Sequence, residues 1–255
     1  MKEPILSVEH VSVSYWKNRR TPLTPKQEVQ ILQDVSLEVQ KGEILGLVGE
    51  SGCGKSTLAK AILNLIPYTG SIHHFSQNPQ MVFQDPYGSL NPSKKIGWSM
   101  EEPLRLQKKA SCEENDHHRR QEKVFRMLTK VGLDTKLAER YPAQLSGGQR
   151  QRVCIGTALM QEPKFLIADE PVSALDVTIQ AQVLELLERL KEEMGLSMLF
   201  ISHDLRIVYK MCDRVIIMKE GRLVEEGKKE DIYFNPKERY TKELLHSAGI
   251  FGWRG

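Results

Sequence analysis

Alternating apolar and polar residues mark the start of the chain. Residues 5–15 alternate in this way, with one slip near His10, and residues 29–39 repeat the pattern. A period of two predicts strands with one buried face, and the slip predicts a bulge or a turn. The basic, proline-bearing stretch 17–26 indicates a hairpin loop between the two strands. The first forty residues therefore predict an antiparallel β-subdomain.

Apolar runs follow later in the chain, at residues 44–48 and 165–168 and, after a polar first residue, at 197–201 and 214–218. Such runs are typical of strands that are buried on both faces, as in the parallel sheet of an α/β domain. The dipeptide Glu220-Gly221 after the last run predicts a tight turn. The pattern favours an antiparallel subdomain packed on a parallel core.

Helical spacing of apolar residues appears between and after these strands. Residues 124–131 have this spacing, and residues 98–106 indicate a shorter helix, whereas the charged stretch 108–120 predicts an exposed linker. A long helix is predicted after Asp176, a plausible N-cap, and before Gly195, a plausible terminator. The segment before residue 145 is therefore expected to form an inserted helical subdomain.

A phosphate-binding pattern, G-x-x-x-x-G-K-[ST], follows the strand at 44–48 and precedes a helical run at 57–63. Its glycines allow a tight turn that exposes N–H donors, and the helix N-terminus faces the anion. Lys55 can reach the β- and γ-phosphates, and the Ser56 hydroxyl can coordinate Mg²⁺. The alternative is a purely structural glycine turn. The predicted nucleotide-binding residues are Gly49, Ser51, Gly52, Cys53, Gly54, Lys55, Ser56 and Thr57.

Two carboxylates end the apolar run at 165–168. Ligands bind at strand ends of this kind in parallel sheets. Asp169 is suited to Mg²⁺, and Glu170 is suited to polarising an attacking water. The alternative is an ordinary strand that ends in surface acids, and the phosphate-binding pattern makes that alternative less favourable.

The pentapeptide Leu145-Ser146-Gly147-Gly148-Gln149 completes a set of motifs that resembles the ATP-binding subunit of ABC transporters. The resemblance extends along almost the whole chain and implies a P-loop NTPase core of the ABC ATPase type. It also implies a Q-loop glutamine at Gln84, a D-loop at 173–176 and a switch histidine at His203. Tyr15 is similar to the aromatic residue that stacks on adenine in the family, although Trp16 beside it could stack instead.

The same resemblance implies the roles of the site residues. The catalytic residues would be Glu170, His203, Gln84 and Lys55. The ligands of Mg²⁺ would be Ser56, Gln84 and Asp169. Ser146, Gly147 and Gly148 precede a helix that is expected from Gln149 onward, and this helix N-terminus would form a second anion site. Because the phosphate loop already binds one ATP, the second site would serve the nucleotide of another ATPase subunit, in a head-to-tail sandwich.

Three longer segments, 84–92, 170–184 and 235–245, are similar to the importer ATPases for oligopeptides, dipeptides and nickel. Two departures stand out, a short stretch at 67–80 and Thr157 where many relatives carry arginine. The resemblance implies two membrane permeases, a homologous ATPase in a hetero- or homodimer, and an extracytoplasmic substrate-binding protein. Peptide and nickel cargo stay open, and so does the role of the histidine pairs, His73-His74 and His117-His118.

Composition and charge argue against several other classes of protein. A net charge of +3 is too small to indicate nucleic acid binding, and no apolar run is long enough to span a bilayer. The first residues lack the apolar core of a signal peptide, so a peripheral location on the cytoplasmic face of the membrane is expected. The four cysteines are far apart, as expected of reduced thiols. A non-transport ABC ATPase in DNA repair, translation or iron–sulfur assembly is the alternative function.

Four regions are expected from these patterns. The first part of the ATPase core, with the antiparallel subdomain and the phosphate loop, spans 1–84. The inserted helical subdomain spans 85–144, the rest of the core spans 145–234, and a C-terminal tail spans 235–255.

Overall fold

The computed structural model describes residues 3–17, 27–106 and 114–250. The predicted hairpin loop lies outside the described residues except for Lys17, as does the start of the charged stretch, up to residue 113. The chain divides into two compact units. One unit contains Met1–Gln77 with Ser197–Gly255, and the other contains Asn78–Leu196.

The elements are numbered in chain order. The strands are β1 (Pro4–Lys17), β2 (Gln27–Gln40), β3 (Ile44–Val48), β4 (Thr69–His74), β5 (Gln80–Val82), β6 (Phe165–Asp169), β7 (Ser197–Ile201), β8 (Arg214–Lys219) and β9 (Arg222–Lys228). The helices are α1 (Lys55–Ile62), α2 (Ile96–Leu106), α3 (Glu114–Lys130), α4 (Gly147–Leu159), α5 (Val177–Met194), α6 (Leu205–Met211), α7 (Lys229–Phe234) and α8 (Arg239–Ser247). Two short 3₁₀ helices lie before α4, at Thr135–Glu139 and Pro142–Gln144.

An antiparallel sheet of order β2-β1-β4 belongs to the first unit. It confirms the predicted antiparallel subdomain. The slip near His10 is a bulge, because the register shifts there and both His10 and Asp34 have a positive φ, 52° and 54°. The His10 ring lies 2.7 Å from the Asp34 carboxylate across the bulge. The short stretch after α1 contains β4, which pairs with β1.

The parallel core of the first unit is built around β3. Strands β7 and β8 pair with it in parallel on either side, and β9 pairs with β8 in antiparallel fashion. All residues of β3 and β7 are buried, as their largely apolar sequences predict, and Ser197 at the start of β7 is buried as well. Because the strands are parallel, the carboxyl ends of β3 and β7 lie on the same edge of the sheet. The turn after β8 is tight, with φ of 46° at Glu220 and 79° at Gly221.

The second unit pairs β5 with β6 in parallel and contains the helices from α2 to α5. The prediction of an exposed linker is wrong for residues 114–120, because these residues begin α3. Charged side chains of this helix form ion pairs, as Glu122 does with Arg126 at 3.7 Å and Arg120 does with Glu101 of α2 at 2.7 Å, while Leu128 is buried. Dense charge here marks a helix with many ion pairs and not a break in the helix.

Helix α5 has the predicted ends. The Asp176 side chain accepts a hydrogen bond from the Ile179 N–H at 3.0 Å, which satisfies one of the unpaired donors of the first turn. Gly195 ends the helix in the left-handed conformation, with φ of 62°. Both predictions from local sequence are confirmed.

Candidate functional site

Two glycines of the phosphate loop are required by its geometry. A Cβ on Gly49 would lie 2.2 Å from the carbonyl oxygen of Met218 in β8, which no side chain can tolerate. Gly54 caps α1 with φ of 113°, and a Cβ there would also meet Leu32 of β2 at 2.8 Å. The loop between β3 and α1 therefore fits closely against its neighbours because it carries glycine at these positions.

Lys55 lies folded into the loop and is only 6% exposed. Its Nζ donates hydrogen bonds to the carbonyl oxygens of Gly49 at 2.7 Å and Glu50 at 2.9 Å. Its third partner is the Cys53 sulfur at 3.8 Å, a weak acceptor that a phosphate oxygen could replace while the two carbonyl contacts hold the loop. Burial raises the pKa of the Cys53 thiol, and the nearby Lys55 opposes that rise only in part.

The turn between β8 and β9 is hydrogen-bonded to the phosphate loop. The Gly221 N–H donates to the Cys53 carbonyl at 2.9 Å, and the Gly221 carbonyl accepts from the Gln33 N–H at 2.9 Å. Helix α1 begins directly after the loop, with Ser56 and Thr57 half-buried in its first turn and Ser51 and Gly52 exposed before it. The N–H groups in the first turn of a helix are donors that can bind an anion.

His203 follows β7, whose last residues lie beside the end of β3. The Ser202 N–H donates to the Leu47 carbonyl at 3.3 Å, which joins the two strand ends. Asp204 accepts hydrogen bonds from the first N–H groups of α6 and fixes the turn after the histidine. His203 is exposed at the edge of the sheet where the phosphate loop begins.

Tyr15 and Trp16 are both exposed near the end of β1, 43% and 60% respectively. The pairing of β1 with β2 shifts register between Val13 and Ser14, so the alternation of faces is interrupted just before these two residues. Tyr15 and Trp16 therefore both stay candidates for the aromatic residue that stacks on adenine.

In the second unit, the parallel pairing of β5 and β6 brings Gln84 and Glu170 together. Val82 is opposite Ala168, so the residues that follow both strands emerge at one edge. The Gln84 amide Nε2 donates to the Glu170 carboxylate at 2.9 Å. This contact joins two residues that the sequence assigns separately to catalysis.

The Glu170 backbone adopts the left-handed conformation, with φ of 46°. This conformation is uncommon for a residue other than glycine and is often found at functional sites. Ser173 stabilises it, because its N–H and its hydroxyl both donate to the Glu170 carbonyl, at 3.3 and 3.2 Å. Asp169, one residue earlier, is buried at 4% exposure.

The segment 145–149 begins α4 with a capping box. The Ser146 hydroxyl accepts from the Gln149 N–H at 3.3 Å, and the Gln149 side chain accepts from the Ser146 N–H at 3.0 Å. A Cβ on Gly148 would lie 2.5 Å from Ile179 of α5, whereas one on Gly147 would have only an ordinary contact at 3.5 Å. Helix α4 begins at Gly147, two residues before the predicted start at Gln149.

Sequence reasoning missed the residue that connects α4 to the Q-loop. The Arg150 guanidinium lies 4.0 Å from the centre of the Tyr87 ring, and its Nε donates to the Pro142 carbonyl at 2.6 Å. No local pattern distinguishes this arginine; only its position directly after Gln149, in the first turn of α4, could have indicated it. Cys154, one turn further along α4, contacts the Pro86 carbonyl, and burial raises its pKa to about 12.

A family model for the ABC transporter matches residues 32–173 of the chain. The chain belongs to the ABC transporter family. This ABC protein is 46% identical to the dipeptide transport ATP-binding protein DppF of Haemophilus influenzae, over 92% of this chain and 75% of the relative. It is 42% identical to the oligopeptide transport ATP-binding protein OppF of Bacillus subtilis, over 98% of this chain and 84% of the relative.

Solved ABC structures have the same fold. The dimeric post-hydrolysis state of the ATP-binding cassette MJ0796, bound to ADP and Pi, superposes with a TM-score of 0.75 at 27% identity, over 88% of this chain and 98% of that one. The cbiO1 protein of Clostridium perfringens, part of an ABC transporter complex, also has a TM-score of 0.75, at 25% identity, over 98% and 96%. The predicted fold class is confirmed.

This ABC ATPase binds ATP and hydrolyses it, as the family assignment establishes. The predicted family and enzyme class are therefore confirmed. In the described stretches, no helix has both the length and the apolar character that crossing a bilayer requires.

Proposed function

We propose that this ABC ATPase energises the import of peptides. The observation that carries the proposal is the 46% identity to a dipeptide transport ATP-binding protein over 92% of the chain. The relatives support peptides over nickel, and transport over DNA repair, translation or iron–sulfur assembly. The histidine pairs have local partners, since His74 contacts the Ile62 carbonyl at 2.8 Å and His118 contacts Glu122 at 3.5 Å.

The proposed chemistry assigns one role to each group. Lys55 and the first N–H groups of α1 bind the β- and γ-phosphates of ATP, and Tyr15 or Trp16 stacks on its adenine. Glu170 accepts a proton from the water that attacks the γ-phosphate, and His203 stabilises the charge that develops on that phosphate. The hydrogen bond from Gln84 to Glu170 supports this assignment, because it orients the carboxylate.

The residues available for Mg²⁺ fit that ion. A hydroxyl in the first turn of α1 and a carboxylate at a strand end are oxygen ligands of the kind that Mg²⁺ prefers, and Asp169 keeps its carboxylate buried. We assign Ser56, Asp169 and Gln84 to this role. When bound, Mg²⁺ would neutralise part of the phosphate charge.

A second ATPase subunit is part of the proposal. Ser146, Gly147, Gly148 and Gln149 form a helix N-terminus that can bind an anion, in addition to the one at the phosphate loop. Solved relatives with this fold are dimeric, which supports two subunits that sandwich ATP head to tail. The second subunit is either a homologous ATPase or a second copy of this chain.

The remaining proposed partners are two membrane permeases and an extracytoplasmic substrate-binding protein, with this chain on the cytoplasmic face of the membrane. The permeases would contact the surface at 84–106, at the start of the inserted helical subdomain that we assign to 85–144. Movement of that subdomain would carry Gln84 relative to the nucleotide and couple ATP hydrolysis to transport.

Purification of the native complex tests the transport proposal. This chain would be tagged in its own cell and extracted from the membrane in mild detergent. We expect two membrane proteins and a second ABC ATPase to co-purify, with ATPase activity that rises when the binding protein is loaded with di- or oligopeptides. A matched assay with nickel in place of peptide is expected to give no rise. Recovery of ribosomes or DNA without membrane proteins would contradict the proposal.

A further inference from the structure

The turn that follows Gln84 packs against the first two turns of α4. Its Pro86 is buried, and the Pro86 carbonyl accepts a weak hydrogen bond from the Cys154 thiol at 3.8 Å. The ring of the next residue, Tyr87, lies over the Arg150 guanidinium, with 4.0 Å between them. All of these residues belong to the second compact unit. Two side chains of α4 therefore hold this turn.

Arg150 is buried although its side chain is charged. The residue is 8% exposed, and its Nε donates to the Pro142 carbonyl at 2.6 Å. A cation over an aromatic face is attracted more strongly when it is desolvated than when water surrounds it. Tyr87 is 64% exposed, so its ring covers the guanidinium from the solvent side. The stacking thus favours the position of the turn that keeps this cation covered.

Hydrogen bonds within the turn connect Tyr87 to Gln84. The Asp85 carboxylate accepts from the Tyr87 N–H at 2.8 Å, and the Asp85 carbonyl accepts from the Ser89 hydroxyl at 2.6 Å. Gln84 is the residue immediately before this closed turn, and its amide donates to the Glu170 carboxylate at 2.9 Å. The place of Tyr87 on α4 therefore influences where Gln84 lies relative to Glu170.

We propose that Arg150 is a positioning residue of the catalytic site. By holding Tyr87 on α4, it fixes the turn from which Gln84 reaches Glu170. The Arg150 N–H also donates to the Ser146 carbonyl at 2.9 Å, at the helix end that we propose for the ATP of a second subunit. The carboxylate that would activate water and the helix end that would bind the second ATP are thus joined through one buried side chain.

This inference rests on the proposed catalytic role of Glu170, and two substitutions of Tyr87 test it. Tyr87→Phe keeps the aromatic face, whereas Tyr87→Leu keeps only an apolar side chain. ATP hydrolysis would be measured on the ATPase dimer without permeases, because residue 87 lies in the surface that we assign to them. We expect Tyr87→Leu to lower kcat about tenfold with KM within twofold, and Tyr87→Phe to keep both constants within twofold of the original protein. The thermal midpoint is expected to change little in both variants, because the ring is mostly exposed.

Hydrogen–deuterium exchange gives a readout that does not depend on turnover. The N–H groups of Tyr87 and Ser89 are both hydrogen-bonded within the turn. We expect a peptide that covers residues 84–90 to exchange faster in Tyr87→Leu than in the original protein, and a peptide from β6 to exchange as before. Arg150→Met, which removes the charge and keeps an unbranched side chain, is expected to have the same effect. Unchanged exchange at 84–90 in Tyr87→Leu would contradict the proposal.

Tyr209→Leu is the matched control. Tyr209 of α6 also has a cation over its ring, the Lys229 Nζ at 5.4 Å, but it belongs to the other compact unit. The loss of this ring, which also packs on Tyr233, is expected to lower the thermal midpoint and to leave kcat within twofold. Equal losses of kcat in Tyr209→Leu and Tyr87→Leu would show that Tyr87 has only a structural role.

Glu170→Gln separates the two levels of the argument. If Glu170→Gln abolishes turnover while Tyr87→Leu keeps kcat within twofold of the original protein, the positioning role is wrong and the proposed function stands. If Glu170→Gln retains turnover, the catalytic carboxylate itself is misassigned, and with it the role of Arg150.

Discussion

Lys55 shows how a single charged residue can be buried in this protein. A buried ammonium is costly unless hydrogen-bond acceptors compensate it, and the carbonyls of Gly49 and Glu50 do so at 2.7 and 2.9 Å. These acceptors are neutral, so the positive charge is still available to an anion. The residue is thus held ready for phosphate while it stabilises the loop.

Lys55→Ala is expected to lower ATP affinity at least tenfold, about 1.4 kcal/mol. The substitution removes the charged contact to the β- and γ-phosphates and leaves the glycine turns in place. Isothermal titration calorimetry in the presence of Mg²⁺ measures the change. Lys60→Ala, an exposed lysine on the same helix, is the control and is expected to bind ATP as the original protein does. Equal affinities for both variants would contradict the assignment.

Local sequence was sufficient to predict residues whose roles depend on their immediate neighbours. The glycine turn of the phosphate loop and the Asp176 cap are of this kind, because strand, turn and helix signals surround them. Contacts between distant segments were not predictable in this way. Neither the stacking of Arg150 on Tyr87 nor that of Lys219 on Tyr240 leaves a pattern in a single sequence, since each depends on how the chain folds back.

At the scale of elements, the buried strands β3 and β7 were predicted more completely than helix α3. These strands consist of apolar residues except for Ser197, so their sequence has few alternatives. Helix α3 was predicted too short because residues 114–123 include no apolar side chain. A helix whose buried face is narrow gives a weak apolar signal in its sequence.

The packing of α4 on α5 gives a prediction at this scale. Gly148→Ala would bring a Cβ within 2.5 Å of the branched Ile179 side chain, which cannot rotate away freely. Overpacking of this kind costs about 1–3 kcal/mol, so we expect a lower free energy of unfolding in urea. Gly147→Ala, the matched control, meets Leu175 only at 3.5 Å and is expected to have little effect.

A double variant checks the cause of that loss. Adding Ile179→Ala to Gly148→Ala removes the opposing methyl group, so the two substitutions together are expected to cost less than the sum of their separate effects. Additive effects would show that Gly148 is required for another reason, such as its backbone conformation.

At the scale of the whole molecule, the two helix N-termini that we propose as anion sites determine how two subunits would associate. The phosphate loop at α1 and the capped N-terminus of α4 belong to different compact units of the chain. If each binds the phosphates of a different ATP, the nucleotide joins two subunits, and hydrolysis is what separates them. The lifetime of the dimer then depends on Glu170.

Glu170→Gln is therefore expected to trap an ATP-bound dimer. The amide keeps the shape of the side chain and loses the proton acceptor, so ATP should bind with unchanged affinity while turnover falls at least a hundredfold. Size-exclusion chromatography with ATP and Mg²⁺ should give a dimer of the variant and a monomer when ADP replaces ATP. If the partner is a homologous ATPase, the dimer forms only when that subunit is in the sample.

A second substitution tests the site at α4. Adding Ser146→Arg, which places a bulky charged side chain at the capped end of α4, should abolish the ATP-dependent dimer while the phosphate loop still binds ATP. A dimer that persists in this double variant would show that the subunits do not associate through ATP at these two sites, and near-normal turnover of Glu170→Gln would show that Glu170 is not the catalytic carboxylate.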